Sequence, residues 1–337
     1  MENNDLYLES GYFNAAAVIE AGHPFNIVMG GRATGKTYGF IDWFIRHQEP
    51  FILMRRTQKE SDLQGDPETS SLGPNMRDMG FSIIGKRIAG SLMKVLNADT
   101  GDEICLCMGM NATATIRGMD LSRFKYALYD EFIPEPHVRA IKNEGAAVFN
   151  MYETINRNRE LSGKDPLMLI CVSNAVNIAN DVFIQGNLVS IAESLLSGDM
   201  IYQDDYKMMI MLRNSPISKQ KEQTALYKGL ASQEFKDMAL DNKFIENDFT
   251  YIKKRKISEY VPLLQIGDLY VYGHKSRDEY YITFTKANLR NNQKYGSNYL
   301  DLTRLKREKM HLYFSYLDGR VVFEKYECLA LFEKYYS

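Results

Sequence analysis

The chain has 337 residues, of which 45% are hydrophobic and 25% are charged, and its formal net charge at pH 7 is -2. This composition is typical of a globular protein, and the length is enough for two domains. No apolar run reaches the ~18 residues that span a bilayer, and the N-terminal stretch MENNDLYLES lacks the basic and apolar regions of a signal peptide. We therefore expect a cytosolic protein with no membrane partner.

The first element with a clear signature is a phosphate-binding loop. Residues 30–37 read GGRATGKT, which matches the pattern G-x-x-x-x-G-K-[ST] at every fixed position. The apolar run Phe25–Met29 before this phosphate loop predicts a buried strand, and the apolar spacing from Lys36 onward predicts a helix. A strand, a glycine-rich turn and a helix N-terminus together form a cradle of N–H groups for phosphate. The sequence therefore predicts an ATP or GTP site.

Each residue of the phosphate loop has an expected role. Gly30 and Gly35 allow the backbone to turn its N–H groups inward, Lys36 places a positive charge near the β- and γ-phosphates, and the Thr37 hydroxyl holds Mg²⁺. The Arg32 side chain fits three positions: on phosphate oxygens, across a subunit boundary, or in solvent. The predicted nucleotide-binding residues of the loop are Gly30, Gly31, Arg32, Ala33, Thr34, Gly35, Lys36 and Thr37.

Strand-like and helix-like segments alternate after the loop. Residues 50–56 form a second apolar run that ends in two arginines, and the polar residues 58–75 predict an exposed loop. Short strands are predicted at 81–84, 91–96 and 103–108, and longer apolar runs at 126–131 and 167–174 flank one long helix over 137–159. This alternation is typical of an α/β fold whose mostly parallel sheet is covered on both faces.

The composition changes after the second apolar run. We predict a P-loop ATPase domain over residues 1–205, a linker or lid over 206–245, and a small α+β domain over 246–337. Aromatic and β-branched clusters at 249–256, 260–266, 268–275 and 279–286 predict three or four strands of a small sheet. Helices are predicted at 300–316 and 326–335.

Two strand ends carry candidate site residues. Asp130 and Glu131 end an apolar strand, where Asp130 would hold Mg²⁺ through water and Glu131 would polarise the attacking water. Ser173 and Asn174 end the next strand, and the ends of parallel strands line one edge of a sheet, so these side chains can touch the γ-phosphate or the water. The alternative for both pairs is a polar strand end without a role.

Arg157 and Arg159 close the predicted long helix. Cations are favoured at a helix C-terminus in any case, so stabilisation of the helix dipole is one explanation. The other is an arginine finger that enters a neighbouring subunit's site, which can raise the rate ~10³-fold or more. The sequence alone leaves both explanations open.

Charge is unevenly distributed along the chain. Between Tyr251 and Lys309 there are 13 lysines and arginines against 6 acidic residues, so the remainder of the chain is net acidic. A basic region on an acidic body fits either a polyanionic partner or a solvated surface. The densest run, Lys253, Lys254, Arg255 and Lys256 (the basic segment), predicts sequence-independent contact with nucleic-acid phosphates.

Five motifs in this order carry a family resemblance: GGRATGKT, YDEF at 129–132, NRNRE at 156–160, VSNAVN at 172–177 and ALDNKFI at 239–245. Together they resemble the DNA-packaging ATPases of small tailed phages whose motors sit on a prohead RNA ring. The resemblance covers essentially the whole chain. It implies a homomeric ring, typically a pentamer, that hydrolyses ATP to translocate double-stranded DNA into a procapsid. Its partners would be the prohead RNA and the portal or connector, and the ring would dock on the procapsid in the host cytoplasm.

The resemblance also assigns roles to particular residues. It implies that Glu131 is the catalytic glutamate of an additional-strand, catalytic-Glu ATPase, and that Thr37 and Asp130 hold the metal. Arg157 takes the position of the trans-acting finger, with Arg159 as the second candidate. The pair Ser173 and Asn174 would couple hydrolysis to the neighbouring subunit, and the C-terminal part would be an RNase H-like domain without nuclease activity.

Loss of the nuclease agrees with the carboxylates themselves. Two-metal cleavage needs three or four converging carboxylates. The candidates lie mostly near turns and among lysines, and they are Glu246, Asp248, Asp268, Asp278 and Glu279. We therefore expect this domain to bind nucleic acid without cleaving it.

Two other functions remain compatible with the sequence. One is a nucleic-acid-stimulated NTPase or helicase-like protein outside packaging, although the second half offers no set of helicase motifs. The other is a regulatory switch, which would not need a water-polarising acid such as Glu131. A motor should show ATPase activity stimulated by duplex DNA, a helicase should displace a strand, and a switch should turn over slowly.

Overall fold

The computed structural model describes residues 2–88, 90–134, 141–174, 177–233, 235, 236, 240 and 249–337. The chain divides into two compact units: unit 1 comprises Met1–Asn177 and Ser194–Ile245, and unit 2 comprises Ile178–Glu193 and Glu246–Ser337. The domain ranges that the sequence suggests, 1–205, 206–245 and 246–337, stay a prediction. Within the described part of the chain, no helix is both long and apolar enough to cross a membrane.

Unit 1 is built on a nine-stranded sheet. Its strands are β1 Phe25–Met29, β2 Phe51–Arg55, β3 Ile83–Ile88, β4 Leu92–Asn97, β5 Glu103–Gly109, β6 Tyr126–Asp130, β7 Met168–Ser173, β8 Ile201–Gln203 and β9 Lys207–Met211. The strand order is β3-β4-β5-β2-β6-β7-β1-β9-β8. The six central strands, in the spatial order β5-β2-β6-β7-β1-β9, pair in parallel with one another. At the two edges of the sheet, β3 and β4 on one side and β8 on the other pair antiparallel. The prediction of an α/β fold with a mostly parallel sheet is confirmed.

The central strands are buried along almost their whole length, as in sheets that are covered on both faces. The α-helices with described bounds are α1 Ala15–Glu20, α2 Lys36–Arg46, α3 Gln58–Asp62, α4 Gly73–Met79, α5 Thr113–Ile116, α6 Glu144–Asn156, α7 Asp181–Gln185, α8 Val189–Ser197, α9 Pro216–Lys221, α10 Ala225–Gly229, α11 Tyr299–Leu317 and α12 Tyr326–Tyr336. Helix α2 presents Phe40, Ile41 and Phe44 to the core that also contains Val28 of β1. This packing fixes the helix that follows the phosphate loop.

The prediction of an exposed loop over residues 58–75 is wrong. Helix α3 begins there because Thr57 and Glu60 form a reciprocal capping box. The buried Gln64 side chain accepts hydrogen bonds from the amide (2.9 Å) and the hydroxyl (2.7 Å) of Ser71. Gln64 can be buried here because Ser71 and the carbonyl of Glu60 satisfy its amide, and composition alone does not show this.

The predicted long helix over 137–159 is also too long. Helix α6 begins at Glu144, because Asn143 has a left-handed backbone with φ of 55°. The start is fixed by the buried Glu144 carboxylate, which accepts a hydrogen bond from the Tyr129 hydroxyl and pairs with Arg56 at 3.3 Å. Residues 135–140, including the predicted His137, lie outside the described residues.

Unit 2 contains a five-stranded sheet with the order β13-β10-β11-β12-β14. Its strands are β10 Tyr260–Ile266, β11 Leu269–His274, β12 Tyr280–Thr283, β13 Lys294–Tyr295 and β14 Val321–Phe323. The helices predicted at 300–316 and 326–335 are confirmed as α11 and α12. Residues 249–256, predicted as a strand, form only an isolated bridge between Ile252 and Phe323. The smaller C-terminal sheet is thus confirmed with different outer strands.

Candidate functional site

Four neighbouring parallel strands, β6, β7, β1 and β9, end at one edge of the sheet, here called the carboxyl edge. Met29 at the end of β1 lies opposite Ser173 of β7 and Met211 of β9. Asp130 at the end of β6 lies opposite Val172 of β7. Ligands of open α/β sheets bind at this edge. The segments that follow these strands are therefore brought to the phosphate loop by the topology.

Two positions of the phosphate loop, 30 and 35, have surroundings or a backbone conformation that disfavour any residue with a side chain. Gly35 has a left-handed backbone with φ of 90°, and a Cβ atom there would lie 3.1 Å from the Tyr12 ring. A Cβ atom on Gly30 would lie 2.7 Å from Cβ of Leu212, which follows β9. The loop is thus tightly enclosed by the N-terminal segment on one side and the β9 end on the other.

The Lys36 ammonium is buried at the centre of the loop. Its Nζ atom donates to the carbonyl oxygens of Gly30 and Gly31, each at 2.9 Å, and to Oδ1 of Asn174 at 3.0 Å. Burial lowers the pKa of Lys36 to about 7, although the negative charges of Asp130 and Glu131 oppose this shift. An ammonium held only by neutral oxygens favours an anion beside it. This is the chemistry of a phosphate site.

Asp130 lies beside the first turn of α2. The Thr37 hydroxyl donates to Oδ1 of Asp130 at 2.8 Å, and the Arg55 guanidinium binds the other carboxylate oxygen. A hydroxyl next to a carboxylate is the oxygen donor pair that holds Mg²⁺ in P-loop proteins, so these two residues fit that ion. The sequence analysis missed Arg55, for which the available signal was the arginine pair that ends a buried strand.

Glu131 follows Asp130 at the same edge but is exposed. Its backbone is left-handed, with φ of 56°, which is uncommon for a residue other than glycine. The strand therefore ends abruptly after Asp130. Glu131 lies close enough to Lys36 for its charge to raise the lysine pKa. Backbone strain of this kind is concentrated at functional sites.

The predicted pair Ser173 and Asn174 serves two different contacts. Asn174 reaches the phosphate loop through the hydrogen bond that it accepts from Lys36. Ser173 is buried, with 2% of its surface exposed, and its hydroxyl donates to the carbonyl of Ile133 at 3.4 Å. Of the two, Asn174 contacts the loop lysine, and Ser173 contacts the segment that follows Glu131.

The two predicted arginines lie in contrasting environments. Arg157 is exposed, has a left-handed backbone, and donates to the carbonyl of Arg117 at 3.0 Å. Arg159 is buried and donates to the carbonyls of Leu121 and Ser122 at 3.3 Å and to that of Phe124. Arg159 therefore holds the segment that leads into β6.

A further cation reaches the loop from the segment after β9. Lys221 ends helix α9, and its Nζ atom donates to the carbonyl of Arg32 at 2.7 Å. The Arg32 side chain itself is half-buried. Nothing in the sequence pattern singled out Lys221, because it lies 189 residues from Arg32.

A cavity of about 680 Å³ adjoins the phosphate loop. Its walls come from the N-terminal segment, the loop and α2, and they include Tyr12, Tyr38 and Trp43. Small-molecule sites typically measure ~300 to 1,000 Å³ and are lined by apolar and aromatic side chains with a few polar groups. The cavity can therefore accept a flat, partly apolar group attached to a phosphate chain on the loop.

The basic segment lies in unit 2. Lys253, Lys254 and Lys256 are exposed, whereas Arg255 pairs with Glu279 at 3.2 Å. Asp278 pairs with Arg320, and Asp268 is exposed. The other two predicted carboxylates, at positions 246 and 248, lie outside the described residues. No group of three or more His, Cys, Asp or Glu that could hold a metal ion occurs in the part of the chain that the structure describes.

A mostly parallel sheet, a glycine-rich loop that leads into a Lys-Thr helix start, and an acid at a neighbouring strand end define a P-loop ATPase. Residues 8–273 match the family model of the podovirus DNA encapsidation protein (Gp16), and the chain belongs to this family. It is therefore an ATPase of the phage DNA-packaging motor, and the predicted function is confirmed.

Curated relatives agree with this assignment, and two solved structures share the fold. The chain is 28% identical over 262 residues to the DNA packaging protein of Bacillus phage phi29, which covers 75% of this chain and 72% of that protein. It is 29% identical over 246 residues to that of Bacillus phage B103, with coverage of 70% and 69%. The Phi-28 gp11 DNA packaging motor shares the fold, with a TM-score of 0.70 at 18% identity and coverage of 96% and 97%. The bacteriophage phi29 genome packaging motor assembly also shares the fold, with a TM-score of 0.65 at 20% identity and coverage of 96% of this chain and 99% of that chain.

Proposed function

We propose that the chain is one subunit of a homomeric ring, a pentamer, that translocates double-stranded DNA into a procapsid and shares each ATP site between neighbouring subunits. The observation that carries this proposal is the contrast between the two arginines after α6. The Arg159 guanidinium is hydrogen-bonded to backbone carbonyls of its own chain, whereas Arg157 is exposed and has a left-handed backbone. An exposed arginine can enter another subunit's site without breaking buried contacts.

Lys36 and Asn174 prepare the phosphate position. The Lys36 ammonium is held by the loop carbonyls and by Asn174, so it is already oriented before ATP arrives. An incoming γ-phosphate would offer the ammonium a charged acceptor, which makes a stronger hydrogen bond than a neutral oxygen. The Asn174 amide would then contact the phosphate or the water. Asn174 would in this way sense whether a third phosphate is present.

Thr37 and Asp130 are proposed to hold Mg²⁺, which when bound neutralises charge on the β- and γ-phosphate oxygens. The support is the pairing of the two side chains at 2.8 Å. Arg55 keeps the Asp130 carboxylate oriented through an ion pair with its other oxygen. The chain's own residues thus maintain the geometry of this donor pair.

Glu131 is proposed as the general base. Its carboxylate is exposed at the carboxyl edge, so water can reach it, and it lies one residue beyond the strand that supplies Asp130. It would accept a hydrogen bond from the attacking water and orient that water toward the γ-phosphorus. Arg157 of a neighbouring subunit would offset the charge that develops on the transferred phosphoryl group.

Unit 2 is proposed as an RNase H-like domain that binds nucleic acid without cleaving it. The exposed Lys253, Lys254 and Lys256 support contact with phosphates. The pairing of Asp278 and Glu279 with arginines supports the loss of nuclease activity, because paired carboxylates compete poorly for metal ions. Prohead RNA and the portal are the proposed partners, on a procapsid in the host cytoplasm.

The test is complementation between two inactive variants. Arg157→Ala lacks the finger and Glu131→Gln lacks the base, so each should hydrolyse ATP slowly by itself, with or without duplex DNA. In a 1:1 mixture, roughly a quarter of randomly assembled ring interfaces would combine an intact base with an intact finger. We expect DNA-stimulated hydrolysis to return in the mixture. Absence of recovery, or full activity of Arg157→Ala alone, would reject the shared site.

A further inference from the structure

Two lysines from different helices bind three consecutive carbonyls of the phosphate loop. Lys36 binds those of Gly30 and Gly31, and Lys221 binds that of Arg32 at 2.7 Å. Lys36 comes from the helix that follows β1, whereas Lys221 comes from the short helix that follows β9, the next strand in the sheet. The strand order therefore brings a second ammonium group to the loop.

The electrostatics of this arrangement are unfavourable without an anion. Burial and the positive charge of Arg32 lower the pKa of Lys221. Because Lys36 is hydrogen-bonded to two other carbonyls of the loop, three cationic residues lie around one glycine-rich loop. A polyphosphate is the ligand class whose negative charge would offset the repulsion between these cations.

The contact also has geometric support from the surrounding segment. The hydroxyl of Tyr7 donates to the carbonyl of Arg213 at 3.2 Å, and the hydroxyl of Ser215 donates to that of Gly11 at 3.5 Å. Leu212 packs where a Cβ atom of Gly30 would be. The segment that carries Lys221 is therefore attached to the N-terminal segment and to the loop at several points, so the lysine is held near the loop.

We propose that Lys221 is a phosphate-binding residue of this ATPase, which exchanges the Arg32 carbonyl for a phosphate oxygen when ATP occupies the loop. The proposal rests on the proposed use of the phosphate loop as the ATP site. It gives the segment after β9 a direct role in binding the substrate. The residue acts on its own subunit's nucleotide, in contrast to the finger Arg157.

The experiment measures binding of two probes, ATP and inorganic tripolyphosphate, by displacement of a fluorescent ATP analogue from the full chain. Lys221→Met keeps most of the side-chain volume and removes the charge. Lys219→Met is the matched control, because Lys219 lies exposed in the same helix. We expect Lys221→Met to weaken both probes by roughly 10- to 100-fold, as for loss of a charged hydrogen bond. Lys219→Met should stay within about twofold of wild type.

Two further variants make the outcome decisive. Lys221→Arg keeps a cationic donor and should recover most of the affinity for both probes. If Lys221 only stabilised the fold, the affinity for tripolyphosphate would not depend on the charge at this position. Wild-type affinity of Lys221→Met for both probes would overturn the proposal. Lys36→Ala separates the two levels: if it also bound normally, the ATP site itself would be misassigned. If only Lys36→Ala lost binding, the site would stand and the role of Lys221 would be rejected.

Discussion

The lysine of the phosphate loop in unit 1 is buried and held by backbone oxygens, whereas the lysines of the basic segment in unit 2 are exposed. Both regions are predicted to bind phosphate. Burial fixes the position of Lys36 and excludes water, so its charge can select one ligand in one orientation. Exposed lysines keep their freedom and their hydration, so they favour any phosphate backbone about equally. The difference in burial, more than the charge itself, distinguishes a lysine suited to catalysis from lysines suited to binding a phosphate backbone.

The largest expected effect separates the two regions directly. Lys36→Ala removes the buried ammonium, and we expect ATP turnover to fall by roughly 10³-fold or more. The triple variant Lys253→Ala, Lys254→Ala, Lys256→Ala should keep its basal turnover without DNA, because these lysines are remote in function from the loop. Steady-state turnover without DNA checks both. Equal losses in the two variants would show that the regions do not have separate roles.

A somewhat smaller effect is expected for the base. Glu131→Gln keeps the shape of the side chain but cannot accept a proton, so turnover should fall by roughly 10² to 10⁴-fold. ATP affinity should stay within a few fold of wild type, since the phosphate contacts are intact. Single-turnover rates and equilibrium binding measure the two quantities separately. A parallel loss of affinity and rate would instead assign Glu131 to binding.

The basic segment should control the salt dependence of DNA binding. Each phosphate contact contributes about -0.9 to the slope of log affinity against log salt for duplex DNA. Removing Lys253, Lys254 and Lys256 together should therefore reduce the slope by about 2 to 3 if all three contact phosphates. Titrations between low and physiological salt measure it. Lys275→Ala is a control with one exposed lysine outside the segment, and an unchanged slope in the triple variant would remove the segment from the DNA interface.

The smallest effect is a proton taken up when ATP binds. Burial holds the pKa of Lys36 at about 7, so most of the population is neutral at pH 8 and must gain a proton as phosphate approaches. We expect uptake of less than one proton, which grows between pH 7 and 9 and is seen by calorimetry in buffers of different ionisation enthalpy. Lys36→Arg should lose this component because arginine stays charged. Identical uptake in both proteins would show that Lys36 does not titrate.

The same shift has a defined effect on the stability of the ligand-free fold. The pKa of Lys36 is lower in the folded chain than in the unfolded chain. The unfolded state therefore binds more protons between the two values, so this group contributes increasing stability as pH rises from about 7 toward 10.5. Below pH 7 the buried charge is destabilising throughout. Added ATP should stabilise the fold most at and below about pH 7, where Lys36 is charged, and this stabilisation should shrink as pH rises, which unfolding at several pH values can measure.

The sequence was sufficient for the phosphate loop because all of its parts are contiguous. Strand β1, the glycines and the Lys-Thr pair follow one another, and hydrophobic spacing marks the flanking elements. The acid at the end of β6 could also be predicted, since parallel strand ends meet at one edge. The burial of polar residues could not be predicted in the same way. Residues 58–75 look exposed by composition, but Gln64 and Asn75 are buried with hydrogen-bonded partners.

Contacts between distant residues were beyond any local pattern. Asn174 reaches Lys36 across 138 residues, and Arg55 reaches Asp130 across 75. Lys221 is one of two lysines in a short polar helix, and only the pairing of β9 with β1 explains why it meets the loop. The order of strands in the sheet carries this information, and hydrophobic periodicity does not encode that order.

The left-handed backbone of Glu131 sets stability against activity at one position. A non-glycine residue in this conformation costs roughly 1 kcal/mol that glycine would not. Glu131→Gly should therefore raise the unfolding temperature of the chain while it removes the base. A laboratory selection for thermal resistance alone would drift away from glutamate here, and one for packaging would return to it. At this position the protein gives up some folding stability to keep a catalytic carboxylate.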